Sequence, residues 1–518
     1  KLRFVSGINP QSFSRELTPE THFDTPEAVL SYSSNGYGGL SRQLHSFIRE
    51  HIVRGVWKRR PRPVLLNSWE ACYFKIDERK LLQLAKAGAD VGVELFVMDD
   101  GWFSGRNDDT SSLGDWEPDP KKLPGGIASL SKKIKALGMD FGLWVEPEMI
   151  SENSRLYQEH PDWAMMIPGH PHSEGRNQRL LDLSNPEVQQ YVIDSMTKVF
   201  SSGDIRYVKW DMNRNFSDIY SPYLPAAKQG ETAHRYVLGL YHIMDELTTR
   251  FPEILFEGCS SGGNRFDLGI LSYFPQIWAS DNTDALCRTG IQNSYSYGYP
   301  LSVFTAHVSS CPNHQTLRIT PLETRFQVAS FGVLGYECNL KDLSGSDLNA
   351  IREQIALYKK WRDVFQFGSF YRGAENEASD SETLSWTCVS PDGRRAVGLF
   401  FRRLTTPNQS HDWYRPVGLL PDVKYHFYGR NIKYNLKDFG DLVNTVSPVH
   451  IKQGSALQEI LSRFVNMDGE KEELTAYGDT LMRAGIALKP AFAGTGYNSD
   501  PRLFPDFSSR IYFMEAAE

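Results

Sequence analysis

A (β/α)8 barrel followed by an antiparallel β domain is the architecture this sequence predicts, on three observations. Eight short apolar runs lie between residues 63 and 337: PVLLNSW (63–69), VELFVMDD (93–100), DFGLWVE (140–146), RYVKWD (206–211), EILFEGC (253–259), QIWASD (276–281), SVFTAHV (302–308) and FGVLGYE (331–337). Amphipathic stretches such as ERKLLQLAKAG, VQQYVIDSMTKVF and RYVLGLYHIMDELTTRF separate most of them. After about residue 370 the texture changes to short β-type runs, including ETLSWTCVSP, RRAVGLFFRRL, VKYHFYGR and RIYFMEAAE. Strands buried on both faces read as continuous apolar runs, and their alternation with helices is the mark of a parallel sheet. A doubly wound open sheet shares that alternation, but no glycine-rich phosphate fingerprint follows the first run.

Taken in order, residues 1–36 read as extended, with scattered Pro and Gly and a closing Asn-Gly turn, and are expected to be the end of an N-terminal β domain. Residues 37–62 form a helical linker in which Leu40, Leu44, Phe47, Ile48 and Ile52 share a face, ending in the solvated basic patch KRRPRP (58–63). Residues 63–368 form the barrel, closed by the helix LNAIREQIALYKKWRDVF. Residues 369–518 form the β domain, where Pro391-Asp392-Gly393 marks a turn and ALQEILSRFV fits either a short helix or a strand.

Composition narrows the function. The 518 residues are 40% hydrophobic and 23% charged with a net charge of −7, which excludes a largely disordered chain and gives no electrostatic reason to bind nucleic acid or an anionic membrane. The longest apolar runs fall well short of the roughly 18 residues that suggest a membrane span. Six cysteines occur singly, without a CxxC pair, so neither a zinc ribbon nor a disulfide framework is indicated, and all but Cys259 are expected to be buried small residues.

In a parallel barrel the chemistry sits at the C-terminal ends of the strands. Here those ends carry Asp99-Asp100, Glu146-Pro147-Glu148, Lys209-Trp210-Asp211, Glu257-Gly258-Cys259 and Asp281. A single carboxylate at such a place is usually a cap or a loop brace, but this recurrence is unusual. Lys209 and Asp211, two apart on a strand, project to the same side, and a neighbouring ammonium favours the ionised carboxylate a nucleophile needs. A second acid with a higher pKa, Asp281, could protonate a leaving group. Two carboxylates with the aromatic walls of Trp69 and Trp144 are the parts of a glycoside-hydrolysing site. Glu146 and Glu148, separated by Pro147, are expected to brace a turn.

The strings DDGWF, GLWVEPEM, GRNQ, LDLSNPEV, KWDMNR, CSSGG-RFD and WASDNTDA resemble glycoside hydrolase family 36, the α-galactosidase family, in order and spacing, reinforced by PNHQTLR and TPLETRF. The resemblance implies a (β/α)8 TIM barrel with a C-terminal antiparallel β-sandwich and the remnant of an N-terminal β-supersandwich. It implies that Asp211 is the nucleophile and Asp281 the acid/base of a double displacement with retention, their carboxyl groups about 5–5.5 Å apart. It implies further that Asp99 and Asp100 hold O4 and O6 of a galactose-type ring, that Trp144 packs on the sugar with Trp69 nearby, and that Arg176 and Lys209 hold ring hydroxyls. Cys259 and the following backbone, with Gly262, would lie near the C2 substituent. No metal or organic cofactor is implied, and family habit points to a cytoplasmic homo-oligomer acting on α-galactoside-type carbohydrate.

One departure bears on the sugar. Many members read close to CSGGGGRFD, whereas this chain reads CSSGGNRFD, with Asn264 in the loop expected near C2. An α-N-acetylgalactosaminidase or α-galactosaminidase with the same mechanism is therefore an alternative to an exo-α-galactosidase. A raffinose-synthase-type transferase and a sugar-binding protein without turnover are further alternatives.

Overall fold

The computed structural model describes residues 3–373, 382–406, 412–445, 447–462, 464–488 and 504–517. The chain divides into two compact units, one made of residues 1–282, 298–310 and 333–343 and the other of 283–297, 311–332 and 344–518.

The first unit holds a closed barrel of parallel strands. These are β1 (Leu65–Asn67), β2 (Leu95–Met98), β3 (Asp140–Val145), β4 (Ile205–Trp210), β5 (Leu255–Gly258), β6 (Gln276–Trp278), β7 (Phe304–Ser309) and β8 (Val333–Glu337). Each of the eight apolar runs supplies one strand. Each strand pairs with its sequence neighbours, and β8 returns to β1 through Leu65↔Gly335 and Leu66↔Tyr336. Gly335 permits a close approach within this wall: a Cβ there would lie 2.4 Å from the His307 ring.

The unit also contains α1 (Gly36–Phe47), α2 (Glu78–Val91), α3 (Gly126–Ala136), α4 (Pro186–Phe200) and α5 (Thr232–Arg250). Their limits follow local chemistry. Asp77 caps α2 by accepting from the Lys80 N–H at 2.8 Å, and Gly92, with φ of 97°, ends it. The buried line Leu81, Leu84, Ala85, Gly88 and Val91 has helical spacing. Asn185 caps α4, and Pro186 occupies its first turn, where a missing N–H costs nothing. In α1 and the helical turn that follows it (Ile48–Ile52) the buried line is Ser41, His45 and Ile48, with Leu40, Leu44, Phe47 and Ile52 half-buried.

Residues 3–35 contain no helix or strand. The basic patch differs from the solvated linker expected: Arg62 is only 1% exposed, with its guanidinium donating to the carbonyls of Arg60 and Pro275. Those acceptors offset the cost of burying the charge. The cysteines also divide differently from expectation. Cys259, Cys338 and Cys388 are buried, Cys72 and Cys287 are half-buried, and Cys311 is exposed.

The second unit holds α6 (Ala285–Tyr295), α7 (Leu322–Ala329) and α8 (Gly345–Phe367) with a six-stranded antiparallel sheet. Its strands are β9 (Ser369–Arg372), β10 (Thr383–Val389), β11 (Arg395–Arg402), β12 (Lys424–Gly429), β13 (Glu473–Tyr477) and β14 (Ser508–Ala516), in the order β9-β10-β11-β14-β12-β13. One face of the sheet packs Ala396, Phe400, Tyr425, Phe427, Tyr512 and Met514 against Tyr414, Leu481 and Ile486. On the other face Phe513 meets Trp361 of α8 with ring centroids 4.9 Å apart. Burial on both faces explains why RRAVGLFFRRL and RIYFMEAAE lack polar alternation. Ala456–Leu461, which fits helix or strand by sequence, is a short helix capped by Ser455. Among the described residues no helix is long and apolar enough to cross a membrane.

Candidate active site

Side chains two apart on a strand share a side, and in the barrel this builds a floor and a mouth. Leu65, Leu95, Val97, Tyr207 and Leu255 form a buried apolar cluster with Trp57. Two residues further along the same strands come Asn67, Asp99, Lys209 and Glu257, all buried and polar.

Asp99 is the hub of this layer. Its Oδ2 accepts from Asn67 Nδ2 at 2.7 Å and from Lys209 Nζ at 3.0 Å, which ties the ends of β1, β2 and β4 together. Burial alone would lower the Lys209 pKa, but the Asp99 charge together with those of Glu337 and Asp211 outweighs it and holds the ammonium well above its ordinary value. Asp100 is engaged by Arg106, whose Nε donates to Oδ1 at 3.0 Å and Nη2 to Oδ2 at 2.8 Å. Burial acts against both charges and pushes the Asp100 carboxyl up against the pull of Arg106, yet the Asp100 charge and hydrogen bonds together hold the Arg106 pKa above its ordinary value, and the two-pronged contact is that of a guanidinium–carboxylate pair.

Asp211 follows β4 and is buried under five donors. Oδ2 accepts from Trp144 Nε1 at 3.1 Å and Asn213 Nδ2 at 2.7 Å, and Oδ1 from the backbone N–H groups of Met212 at 2.9 Å and Ser261 at 3.1 Å. The Cys259 thiol supplies the fifth. Burial pushes the carboxyl up, but the Lys209 charge and these donors together hold it below the usual carboxylate range. Asp281, beyond β6, has the opposite balance. Burial and the Asp211 charge push it up against the weaker pull of Lys209 and the Trp278 Nε1–H donated to Oδ1 at 2.8 Å. Burial, with the Asp211 charge added, also pushes the Cys259 thiol well up, so it stays protonated and serves as a donor.

The loop after β5 brings the two acids together. Ser260, Ser261, Gly262 and Gly263 adopt consecutive φ values of 52°, 54°, 83° and 87°. This left-handed run costs free energy for the serines and aims the Ser261 N–H at Asp211. Gly262 lies against the second acid: a Cβ there would be 2.6 Å from Asp281 N and 3.2 Å from its Cγ. Asn264 turns back into the loop, its Nδ2 donating to the carbonyls of Ser260 and Ser261 at 2.9 and 3.1 Å.

The remaining sequence candidates fall in different places. Trp144 is buried, and its carbonyl accepts from Trp102 Nε1 at 2.9 Å. Trp69 stands half-buried just past β1, edge-on to Tyr73 and Phe74. Arg176 is exposed, with a left-handed φ of 51°, and among the described residues no hydrogen bond or ion pair joins it to the other candidates. Glu148 is the expected brace: it accepts from Trp210 Nε1 at 2.8 Å, Tyr236 Oη at 2.6 Å and both Arg265 Nη groups at 2.7 and 2.9 Å.

Sequence reasoning missed Asn67, Arg106, Asn213 and Trp278. Asn213 was within reach of the strand rule, since it lies two residues past Asp211. Arg106 was not, because it reaches Asp100 from an irregular loop. The family departure at Asn264 is a local brace in this geometry.

A closed parallel barrel with paired acids at its strand ends and a C-terminal antiparallel sheet defines the class of barrel proteins whose chemistry is carboxylate-based. Comparison with known families makes this specific. Residues 22–368 match the Melibiase family and residues 383–514 the glycosyl hydrolase family 36 C-terminal domain. The chain is 46% identical to the α-galactosidase AgaA of Geobacillus stearothermophilus over 430 residues, covering 83% of this chain and 59% of that protein. It is 46% identical to the α-galactosidase Mel36A of Lactobacillus acidophilus over 425 residues, covering 82% and 58%. The crystal structure of AgaA superposes with a TM-score of 0.85 at 42% identity, covering 99% of this chain and 63% of that one. An α-galactosidase from Lactobacillus brevis gives 0.86 at 39% identity, covering 99% and 62%. The chain belongs to glycoside hydrolase family 36. It spans about three fifths of the length of these relatives.

Proposed function

We propose that the chain is a retaining exo-glycosidase that removes terminal α-linked galactose by double displacement. The observation that carries this reading is the opposed setting of two neighbouring acids: Asp211 is held ionised by Lys209 and its donors, and Asp281 is pushed toward the protonated form. Two carboxyl groups whose environments drive their pKa values apart divide the roles of nucleophile and acid. In the first step a carboxylate oxygen of Asp211 bonds to C1 of the sugar while Asp281 gives its proton to the departing glycosidic oxygen. In the second, Asp281 takes a proton from water, the water oxygen bonds to C1, and the bond to Asp211 breaks with net retention.

Asp99, Lys209, Trp69, Trp144, Cys259 and Gly262 are proposed to form the wall that receives the sugar, with Asp100 fixed by Arg106 beside Asp99 and Arg176 reaching in from its exposed loop. Support for galactose comes from relatives. Crystal structures of AgaA variants are complexes with raffinose and with stachyose, at 42% and 41% identity to this chain. A cytoplasmic homo-oligomer is proposed on the family resemblance, and sedimentation and cell fractionation test it.

The deciding experiment compares p-nitrophenol release from the α-galactoside, the α-N-acetylgalactosaminide and the α-galactosaminide. Dominant galactoside hydrolysis is expected. Turnover of only a 2-amino or 2-acetamido substrate would reassign the sugar, and transfer product exceeding hydrolysis in dilute acceptor would reassign the reaction.

A further inference from the structure

The register of the barrel sets a third carboxyl beside the proposed nucleophile. β3 and β4 pair through Trp144↔Lys209 and Val145↔Trp210, so the next residues along, Glu146 and Asp211, are neighbours. The Asp211 N–H continues the ladder by donating to the Val145 carbonyl at 2.8 Å. Glu146 has no exposed surface. Its Oε1 accepts two hydrogen bonds, one from the Asn213 backbone N–H and one from Gln178 Nε2 at 2.8 Å.

Two oxygens in this cluster have no hydrogen-bond partner: Glu146 Oε2 and Gln178 Oε1, both buried. An ionised Glu146 would leave both acceptors without a donor, each at a cost of about 1–3 kcal/mol or more for the charged one. A proton on Oε2 turns that oxygen into a donor. A carboxylic acid and a primary amide then pair in a ring, N–H to one oxygen and O–H to the other, and Gln178 already supplies the first half. We infer that Glu146 is a positioning residue for Asp211, held as a neutral carboxylic acid in a cyclic pair with the Gln178 amide.

Its action on Asp211 runs through Asn213. Glu146 fixes the Asn213 backbone, and the Asn213 side chain donates to Asp211 Oδ2 at 2.7 Å. A neutral acid performs this without adding a second negative charge beside the nucleophile, where like charges would oppose each other's ionisation. The charged groups acting on Glu146 agree: burial first, then the Asp211 charge, push its carboxyl up to about 8 against the pull of Arg106.

The kinetic arm of the test rests on Asp211 being the nucleophile, and the spectroscopic arm does not. Infrared difference spectra of the protein against Glu146→Gln should contain, at neutral pH, the carbonyl stretch of a protonated carboxylic acid that the variant lacks, fading as pH rises through about 8. Absence of that band at neutral pH overturns the inference whatever the substrate proves to be. On a p-nitrophenyl α-galactoside, Glu146→Ala should lower kcat with little change in KM. Glu146→Gln, which can accept from Asn213 and donate to Gln178, should recover about tenfold or more of that loss, the value of one good hydrogen bond. A Gln variant as impaired as the Ala variant, with both retaining the wild-type melting transition, would mean that the charge is needed and overturn the neutral acid. Should Glu146→Ala fail to fold, the infrared comparison with Glu146→Gln decides alone.

Discussion

Trp144 donates its indole N–H to Oδ2 of Asp211 across 3.1 Å, so an aromatic residue expected from sequence as a sugar platform also anchors the proposed nucleophile. Trp144→Phe keeps an aromatic ring, although a smaller one, and removes that donor. A hydrogen bond to a charged group is worth about 1.5–3 kcal/mol, so kcat/KM should fall by about tenfold to a hundredfold. Steady-state hydrolysis of a p-nitrophenyl α-galactoside measures it, and an undiminished rate would remove Trp144 from the support of Asp211.

Removal of the acids themselves should separate their roles. Asp211→Ala should reduce turnover by several orders of magnitude, with azide restoring part of it as a product of inverted configuration. Asp281→Asn should harm substrates with poor leaving groups most, because proton donation matters most there. Equal losses across a leaving-group series would count against Asp281 as the acid.

The pH profile follows from the directions of the two shifts. As the proposed nucleophile Asp211 must be ionised, and its pKa is held below 3.8, so activity should fall only as pH drops through that depressed value. Asp281 must be protonated and its pKa is raised above 3.8, so activity falls as pH rises through the raised value. The kcat/KM profile should be a bell, and Asp281→Asn should flatten its alkaline limb. An unchanged alkaline limb in that variant would assign it to another group.

Stability should carry a separate mark of Glu146. Its folded pKa of about 8 exceeds the ordinary 4.5, so its contribution is complete below 4.5 and is lost as pH rises through about 8. Glu146→Gln removes the titrating group, and the decline of Tm between those two pH values should be shallower than in the parent protein. Parallel Tm curves would contradict this titration.

Arg106 provides a test of buried pairing. Arg106→Ala leaves the Asp100 carboxylate buried without its cation, and breaking such a pair typically costs about 3–5 kcal/mol. Chemical denaturation should show a loss of that order, and Arg106→Lys should recover only part, since an ammonium cannot reproduce the two-pronged contact. A lysine variant as stable as the parent would mean that only charge matters at this site.

The barrel was legible because its strands are buried on both faces and therefore appear as uninterrupted apolar runs, each followed by a polar end. The pairing of Lys209 with Asp99 was less legible, although strand period placed Lys209 correctly, because its partner lies on another strand and only closure of the barrel sets the distance. Arg106 and Gln178 carry no periodic signal at all, since each enters from irregular chain. Arg62 was misread because a run of basic residues looks like solvated surface until the carbonyls that receive it are in place. For Cys311, a lone cysteine gave no hint of which side of the chain it would occupy.

The left-handed run from Ser260 to Gly263 makes the site unevenly open to redesign. Gly262 has no room for a side chain, and a Cβ at that position would displace Asp281 itself, so any change of sugar preference routed through it would forfeit the proposed acid. Asn264, which spends its amide on two carbonyls of the loop, and Cys259, which faces Asp211, are side chains rather than backbone. An inventory of substitutions that survive selection on a new sugar should therefore be densest at the Asn264 end of this loop and nearly empty in its middle.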